Sequence, residues 1–144
     1  MREIQHTKEN QGVNVLVVDD QETQRQWLCN LLAAGGVRAA MAQSGKQALA
    51  LARELKPHAV LLDLNMPGMD GAETAERLRQ DPATAQIPII MVTTRGDEEA
   101  MERCYVGGCN DYLLKPVQRE ELLSKLADIL GHDIAGMSPG KALE

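Results

Sequence analysis

Short apolar runs alternate five times with segments of helical period along this chain. The runs cover residues 15–18, 38–42, 59–62, 87–92 and 112–114. The stretches AVLL and IIMV, within the third and fourth runs, show no polar alternation. A strand without polar alternation is covered on both faces, which is typical of a parallel sheet between two layers of helices.

The segments between the runs carry helix start and stop signals. The Gly-Gly pair at 35–36 ends the first predicted helix, and Pro57 ends the second. The sequences SGKQ at 44–47 and DGAE at 70–73 have the spacing of capping boxes. A fourth helix is predicted over 97–106. Apolar side chains share one side of the first helix: Trp27, Leu28, Leu31 and Leu32.

Five strand–helix units in strict alternation predict an α/β fold with a doubly wound, five-stranded parallel sheet. A chain of 144 residues is long enough for one such domain to bury its own core. We place this domain at 13–131. Residues 1–12 are polar and are interpreted as a flexible N-terminal extension. Residues 132–144 are interpreted as a C-terminal tail or the start of a linker.

Composition and charge exclude several classes of function. The net charge of −6 argues against direct nucleic acid binding, because such domains carry a basic patch. No apolar run approaches the length of a membrane span, and the polar start MREIQHTKENQG lacks the apolar region of a signal peptide. Cys29, Cys104 and Cys109 show no metal-binding spacing and are interpreted as reduced thiols. We therefore expect a cytoplasmic protein that does not insert into a membrane.

Polar and charged side chains follow four of the five predicted strands. Asp19 and Asp20 come after the first strand and Asp63 after the third. Thr93 ends the fourth strand, and Lys115 follows the fifth. Each alone has an ordinary explanation, since an aspartate after a strand is often only a helix cap or a turn residue. Ligands of open α/β sheets bind beyond the carboxyl ends of the strands, so the coincidence at four strand ends predicts a site.

The residue types at this site favour phosphoryl transfer. Three neighbouring carboxylates repel one another, and a hard divalent cation such as Mg²⁺ relieves the repulsion through oxygen ligands. A metal ion and a lysine neutralise the charge of a transferred group, and a carboxylate can attack phosphorus to form an acyl phosphate. Asp63 stands alone at the end of the central strand and is the predicted nucleophile, with Asp19 and Asp20 as the predicted metal ligands.

Four motifs in this order resemble the receiver domain of bacterial two-component response regulators, over residues 13–130. They are VLVVDDQ, VLLDLNMPGMDG, IIMVTT and DYLLKP. The resemblance implies a flavodoxin-like, CheY-like (βα)5 fold with strand order 2-1-3-4-5. It also implies Mg²⁺ as the cofactor, and a signalling domain whose only catalysis is its own phosphorylation and dephosphorylation.

The resemblance further implies a role for each site residue. Asp63 is phosphorylated, the hydroxyl of Thr93 hydrogen-bonds the phosphoryl group, and Lys115 pairs with it. Tyr112 is the aromatic switch that turns inward when Thr93 moves. The peptide bond between Lys115 and Pro116 is commonly cis in relatives. The implied Mg²⁺ ligands are Asp19, Asp20, Asp63 and the backbone carbonyl of Asn65.

The implied function is a phosphorylation switch. A sensor histidine kinase or a phosphotransfer protein donates the phosphoryl group to Asp63. The face formed by the fourth helix, the fifth strand and the fifth helix then changes shape and binds an unidentified downstream protein. A homodimer through the same face is left open. No DNA-binding helix-turn-helix, cyclase or phosphatase segment is recognised after residue 130 of this sequence, so we expect either a stand-alone receiver or the receiver part of a longer chain.

Three other classes fit the residues less well. Phosphohydrolases of the haloacid dehalogenase type also use an aspartate, Mg²⁺, a hydroxyl and a lysine. They place the motif DxDx(T/V) where this chain has DDQ at 19–21, and they need a cap or substrate pocket. A flavodoxin-type flavin module needs a phosphate-binding loop at the same place, where two acids would repel phosphate. A degenerate receiver acting only as a scaffold would lack part of the acid, threonine and lysine set.

Overall fold

The computed structural model describes residues 12–94 and 98–131, over which five strands and five helices alternate as predicted. Their bounds are β1 (Asn14–Val18), α1 (Glu22–Ala34), β2 (Arg38–Ala42), α2 (Gly45–Leu55), β3 (Ala59–Asp63), α3 (Gly71–Gln80), β4 (Ile89–Thr93), α4 (Glu98–Val106), β5 (Asp111–Leu114) and α5 (Arg119–Leu130). The predicted tail at 132–144, and the predicted extension except for Gly12, lie outside the described residues.

All five strands pair in parallel within one sheet of order β2-β1-β3-β4-β5. This topology confirms the predicted doubly wound fold and its strand order. The strands β3 and β4, whose sequences lack polar alternation, are buried at every position. The strand β2 lies at an edge of the sheet and is mostly exposed, which explains the weakness of its apolar run.

Two apolar clusters form the core, one on each face of the sheet. The first packs α2, α3 and α4 against the sheet, and the second packs α1 and α5 against the opposite face. Neighbouring strand residues alternate between the clusters, with Leu16 in the first and Val17 in the second. Each buried leucine contributes about 1.5–3 kcal/mol. Within 12–94 and 98–131, no helix is long and apolar enough to cross a membrane.

Side-chain caps start α2 and α3 where the sequence predicts them. The hydroxyl of Ser44 accepts a hydrogen bond from the Gln47 N–H at 3.1 Å. The Gln47 side chain accepts a bond from the Gln43 N–H at 2.8 Å, so this box closes one residue before the cap. Asp70 Oδ1 accepts a bond from the Glu73 N–H at 2.8 Å. A cap of this kind contributes about 1 kcal/mol.

Two local details differ from the sequence prediction. The strand β4 begins at Ile89 rather than at residue 87, because Pro88 has no N–H to donate to a neighbouring strand. Trp27 shares the apolar side of α1 but is 46% exposed. Its indole N–H donates a hydrogen bond to the carbonyl of Val117 at 3.1 Å. The buried side of α1 is therefore narrower than the row of apolar residues in its sequence indicates.

Arg79, in the last turn of α3, joins several segments at the amino end of the sheet. Its guanidinium donates hydrogen bonds of 2.7–3.1 Å to the carbonyls of Ala85, Ile87 and Gly108 and to the side-chain oxygen of Asn110. The Asn110 oxygen also accepts a bond from the Ile89 N–H at 2.8 Å. Burial lowers the pKa of Arg79. Gly108 has φ +111°, and a Cβ there would lie 2.9 Å from the Arg79 side chain, so this turn requires glycine.

Candidate functional site

Three aspartates meet at the carboxyl end of the sheet. Val18 of β1 pairs with Leu62 of β3, so the next residues along these strands, Asp19 and Asp63, lie side by side. One carboxylate oxygen from each of Asp19, Asp20 and Asp63 lies within 4.8 Å of the other two. Asp19 and Asp63 are buried, whereas Asp20 is exposed. The structure therefore brings together the three acids that the strand ends predict.

The two consecutive acids have different surroundings. Asp19 Oδ1 accepts a hydrogen bond from the Gln21 N–H at 2.9 Å, and its backbone carbonyl accepts one from Arg25 at 2.7 Å. Asp19 Oδ2 is buried and accepts no hydrogen bond in the described part of the chain. A buried carboxylate oxygen without a donor is costly, so this atom requires a cationic neighbour.

Lys115 supplies positive charge to the buried acids. Its Nζ lies 3.2 Å from Asp63 Oδ1 and 3.5 Å from Asp19 Oδ2, and its side chain is 19% exposed. The longer contact is an ion pair without hydrogen-bond geometry. The Lys115 N–H donates to the Thr93 carbonyl at 2.8 Å. The peptide bond to Pro116 is cis, as the resemblance implies.

Asp63 is electrostatically perturbed. Burial, followed by the negative charge of Asp19, raises the pKa of Asp63 to about 6. The ammonium of Lys115 and the N–H of Asn65, 3.4 Å from Asp63 Oδ1, act in the opposite direction. One lysine facing three carboxylates leaves the cluster negatively charged. Acids with perturbed pKa values of this kind concentrate at functional sites.

The donor set of the cluster fits a hard divalent cation. It consists of carboxylate oxygens, which are the preferred ligands of Mg²⁺ and Ca²⁺. The buried Asp19 Oδ2 and the raised pKa of Asp63 both indicate a shortage of positive charge. A bound cation would correct both. Which of these oxygens bind a metal ion, and whether the carbonyl of Asn65 joins them, stays a prediction.

Thr93 lies in the same row as Asp63 and Lys115. It is the buried last residue of β4, between β3 and β5 in the sheet. Its carbonyl accepts the Lys115 N–H, and its hydroxyl donates to the carbonyl of Thr94 at 3.4 Å. The order of strands therefore places an acid, a hydroxyl and an amine along one rim.

Tyr112 lies farther from the rim, three residues before Lys115 on β5. It is half-buried and packs against the core cluster on the α4 face of the sheet. Its ring lies edge-on to that of Tyr105 on α4, with centroids 6.3 Å apart and an interplanar angle of 89°. The predicted switch role of Tyr112 therefore concerns the packing of α4 against β5.

Gly71 supports the site in a way that the sequence analysis missed. A Cβ at this first residue of α3 would lie 2.4 Å from the Asp63 carbonyl oxygen and 2.7 Å from Leu64 Cα. The Gly71 N–H donates to the carbonyl of Leu64 at 2.9 Å. Only glycine allows α3 to begin this close to the strand that carries Asp63. The sequence does contain an indication of this close approach, because a glycine stands directly after the predicted helix cap Asp70.

The contacts of two arginines near the site were also not predicted from the sequence. Arg25 of α1 binds the carbonyl of Asp19, as described above. Arg103 of α4 pairs with Asp70 Oδ2 at 3.2 Å, so the residue predicted only as a cap also ties the loop after β3 to α4. No local pattern identifies either arginine, because each contact depends on how the helices are arranged around the sheet.

Comparison with known proteins agrees with this geometry. The family model of the response regulator receiver domain matches residues 15–127. PilH from Pseudomonas aeruginosa is 38% identical over 116 residues, covering 81% of this chain and 96% of PilH. The phosphate regulon transcriptional regulatory protein PhoB from the same organism is 36% identical over 119 residues, covering 83% of this chain and 52% of PhoB. The chain thus spans nearly all of PilH but about half the length of PhoB.

Solved structures show the same relationship. A putative response regulator from Chloroflexus aurantiacus is 36% identical with a TM-score of 0.79, covering 83% of this chain and 98% of that one. The receiver domain of the sensor histidine kinase PA1611 from Pseudomonas aeruginosa, solved with a magnesium ion in its active site cleft, is 30% identical with a TM-score of 0.78, again covering 83% and 98%. With its doubly wound sheet and its acid cluster, the chain belongs to the response regulator receiver domain family.

Proposed function

We propose that Asp63 of this receiver domain accepts a phosphoryl group from the phosphohistidine of a sensor histidine kinase or a phosphotransfer protein. The supporting observation is the position of its carboxylate, buried at the end of the central strand and 3.2 Å from Lys115 Nζ. Asp20 is exposed, and Asp19 lies farther from Lys115 Nζ, at 3.5 Å and without hydrogen-bond geometry. Asp63 is therefore better placed than either neighbour to act as the nucleophile.

The contacts of Asp63 favour one oxygen for the reaction. Oδ1 accepts hydrogen bonds from Lys115 and from the Asn65 N–H, which leaves Oδ2 to attack phosphorus. A bond forms between Oδ2 and phosphorus while the phosphorus–nitrogen bond breaks, and the imidazole leaves with the electron pair and takes up a proton. Lys115 balances the added negative charge, with the hydroxyl of Thr93 as a second donor to the phosphoryl group.

Mg²⁺ is the proposed cofactor of this step. When bound, it supplies the positive charge that lets a phosphoryl anion approach three carboxylates. Support comes from the all-oxygen donor set, from the buried Asp19 Oδ2, and from the magnesium ion in the related PA1611 receiver domain. The proposed ligands are Asp19, Asp20, Asp63 and the backbone carbonyl of Asn65.

We propose that the signal leaves through the face formed by α4, β5 and α5. The chain continues from Thr93 towards α4, and Tyr112 of β5 packs edge-on against Tyr105 of α4. Movement of Thr93 towards a new phosphoryl group would change this packing, and the altered face would bind a downstream protein or a second copy of the domain. Attack of water on the acyl phosphate, promoted by the same site, would reset the switch.

Residues 13–131 are the proposed folding and signalling unit, acting in the cytoplasm, with 1–12 as an extension and 132–144 as a tail or linker. The match to PilH over nearly its whole length fits a free-standing receiver. The match to about half of PhoB fits the receiver part of a longer regulator. Both arrangements therefore occur among the relatives, and both remain proposals for this chain.

Asp63→Asn tests the phosphoacceptor. Acetyl phosphate with Mg²⁺ should phosphorylate the wild-type protein, detected as a mass increase of the intact chain. Asp63→Asn should stay unlabelled, because an amide is not a nucleophile towards phosphorus. Asp81→Asn is the matched control, since Asp81 lies just after α3 at the other end of the sheet, and it should be labelled like the wild type. Labelling of Asp63→Asn at the wild-type rate would contradict the proposal.

A further inference from the structure

The free edge of β5 is closed by two side chains. This strand is the last of the sheet, so one of its sides has no neighbouring strand. The Tyr112 N–H donates to Asp111 Oδ1 at 2.8 Å, and the Tyr112 carbonyl accepts a bond from Lys125 Nζ of α5 at 2.8 Å. Asp111 Oδ1 also lies 3.0 Å from Lys125 Nζ, which completes a ring of contacts around the backbone of Tyr112.

Lys125 contacts the side chain of Tyr112 as well as its backbone. Its Nζ lies 5.0 Å from the ring centroid, which is a cation–π distance. The helix α5 packs on one face of the sheet, whereas the Tyr112 ring packs against the core cluster of the opposite face. Lys125 therefore reaches around the sheet edge. Tyr112 contacts Lys125 of α5 and the edge-on ring of Tyr105 of α4 at the same time.

We propose that Lys125 is a positioning residue for Tyr112 that stabilises the conformation of the unphosphorylated domain. The inference rests on the proposed function, in which Tyr112 turns inward after Asp63 is phosphorylated. Such a turn would carry the ring away from Lys125 while β5 stays paired with β4. A contact made in only one of two conformations shifts the equilibrium towards that conformation. Phosphorylation of Asp63 must therefore act against the contact with Lys125.

The ring contact separates this role from simple protection of a sheet edge. Charged side chains commonly block edge strands, and the bonds from Lys125 to Asp111 and to the Tyr112 carbonyl would serve that purpose. Blocking the edge does not require the ring. Removal of a lysine that only blocks the edge would leave the affinity of the site for a phosphoryl group unchanged, whereas removal of a positioning lysine would raise it.

Fluorotyrosine labelling tests the contact in the unphosphorylated protein. The chain has two tyrosines, so Tyr105→Phe assigns both fluorine resonances. Lys125→Met should shift the Tyr112 resonance, and Lys125→Arg, which keeps a cation at the ring, should return it close to its wild-type position. Lys56→Met is the matched control, because Lys56 is exposed at the other end of the sheet, and it should shift neither resonance.

Binding of beryllofluoride, a phosphoryl mimic used together with Mg²⁺, tests the coupling to the site. Lys125→Met should bind it about fivefold more tightly than the wild type, and Lys125→Arg about as tightly as the wild type. Asp111→Asn keeps an acceptor for the Tyr112 N–H but loses the ion pair, so its affinity should rise less. Because Asp111→Asn is the milder change, a rise in its affinity would show the same effect even if Lys125→Met failed to fold.

The outcomes distinguish a failure of the role of Lys125 from a failure of the proposed function. An unmoved Tyr112 resonance in Lys125→Met, or an unchanged or weaker affinity for beryllofluoride, would overturn the role of Lys125. Failure of the wild-type protein itself to bind beryllofluoride would instead count against the proposed function. In that case the fluorine resonances would still show whether Lys125 holds the ring of Tyr112.

Discussion

Two partly buried basic side chains lie at opposite ends of the sheet. Lys115, at the carboxyl end, faces the carboxylates of Asp63 and Asp19 at 3.2 and 3.5 Å. Arg79, at the amino end, donates to four neutral oxygens at 2.7–3.1 Å. The two cations therefore meet different chemical partners, although each links residues that are distant in the sequence.

The two sites differ in whether the hydrogen-bonding and charged groups around the cation are satisfied. Around Arg79, three backbone carbonyls and one amide oxygen each receive a donor. Around Lys115, negative charge exceeds positive charge, and burial raises the pKa of Asp63 to about 6. A satisfied network stabilises the fold, whereas an unbalanced cluster lowers stability and is suited to binding a further charge. Removal of charge should therefore have opposite effects at the two ends.

The largest expected effect is the loss of the Arg79 network. Arg79→Met keeps most of the aliphatic side chain but removes the hydrogen bonds that connect α3 with the loops before β4 and β5. Three backbone carbonyls lose their guanidinium donor, whereas Asn110 Oδ1 keeps the bond from the Ile89 N–H. Part-buried acceptors left without donors each cost about 1–3 kcal/mol. We expect the free energy of unfolding to fall by about 3 kcal/mol, measured by urea unfolding followed by circular dichroism.

Arg77→Met on the same helix is the matched control for this variant. Arg77 is exposed and pairs with Glu73, one helical turn away, at 3.0 Å. Exposed pairs of this type contribute about 0.3–0.5 kcal/mol, so Arg77→Met should unfold close to the wild type. Equal losses in the two arginine variants would show that the neutral acceptors of Arg79 add nothing to the stability of the fold.

The second expected effect has the opposite sign and lies at the carboxyl end. In buffer free of divalent cations, above neutral pH, Asp63→Asn should raise the free energy of unfolding by about 2 kcal/mol. The cause is that the ionised Asp63 is buried and is repelled by Asp19. Asp20→Asn, at the exposed acid, should change this free energy little. A loss of stability in Asp63→Asn would remove the contrast with Arg79.

The gain in Asp63→Asn should depend on pH in a defined way. The pKa of Asp63 is raised from 3.8 to about 6. Below the lower value the group is protonated in both folded and unfolded chains. As the pH rises between the two values, the unfolded chain ionises first, so the wild type loses stability until the loss is complete above the higher value. The stability difference between variant and wild type should grow over this interval and then level off; a flat difference would contradict the raised pKa.

The smallest expected effect distinguishes the acids within the cluster. Asp20 is exposed, so Asp20→Asn should leave the fold intact and lower Mg²⁺ affinity about tenfold, equivalent to about 1.4 kcal/mol. Isothermal titration with Mg²⁺ measures this change. Glu22→Gln removes an exposed acid in the first turn of α1, outside the cluster, and serves as the control. Unchanged affinity in Asp20→Asn would leave Asp20 as a polar strand end without a role in metal binding.

The architecture and the location of the site could be predicted because both follow from repeating local patterns. Apolar runs without polar alternation become buried parallel strands, as at β3 and β4. Parallel strands end at a common edge, so Asp63, Thr93 and Lys115 had to lie near one another once the sheet was predicted. The apolar runs and the helix caps were sufficient to predict the sheet and the edge at which the site lies.

The environments of individual side chains could not be predicted in the same way. Asp19 and Asp20 are consecutive residues of the same type, yet Asp19 is buried and Asp20 is exposed, although their carboxylates lie in one cluster. Arg79 bonds to Asn110, 31 residues away, and Trp27 bonds to the carbonyl of a residue 90 positions later. These contacts depend on how helices pack across the sheet, which a local pattern does not encode.

The absence of a side chain at Gly71 has a consequence for protein engineering. Because a Cβ there would lie 2.4 Å from the Asp63 carbonyl oxygen, any substitution would have to displace the strand end that carries the proposed phosphoacceptor. The start of α3 and the end of β3 therefore behave as a single rigid part. In a chimeric regulator, residues 63–71 should be transplanted as one block, because a crossover inside this block would join a strand to a helix start that was not shaped to fit it.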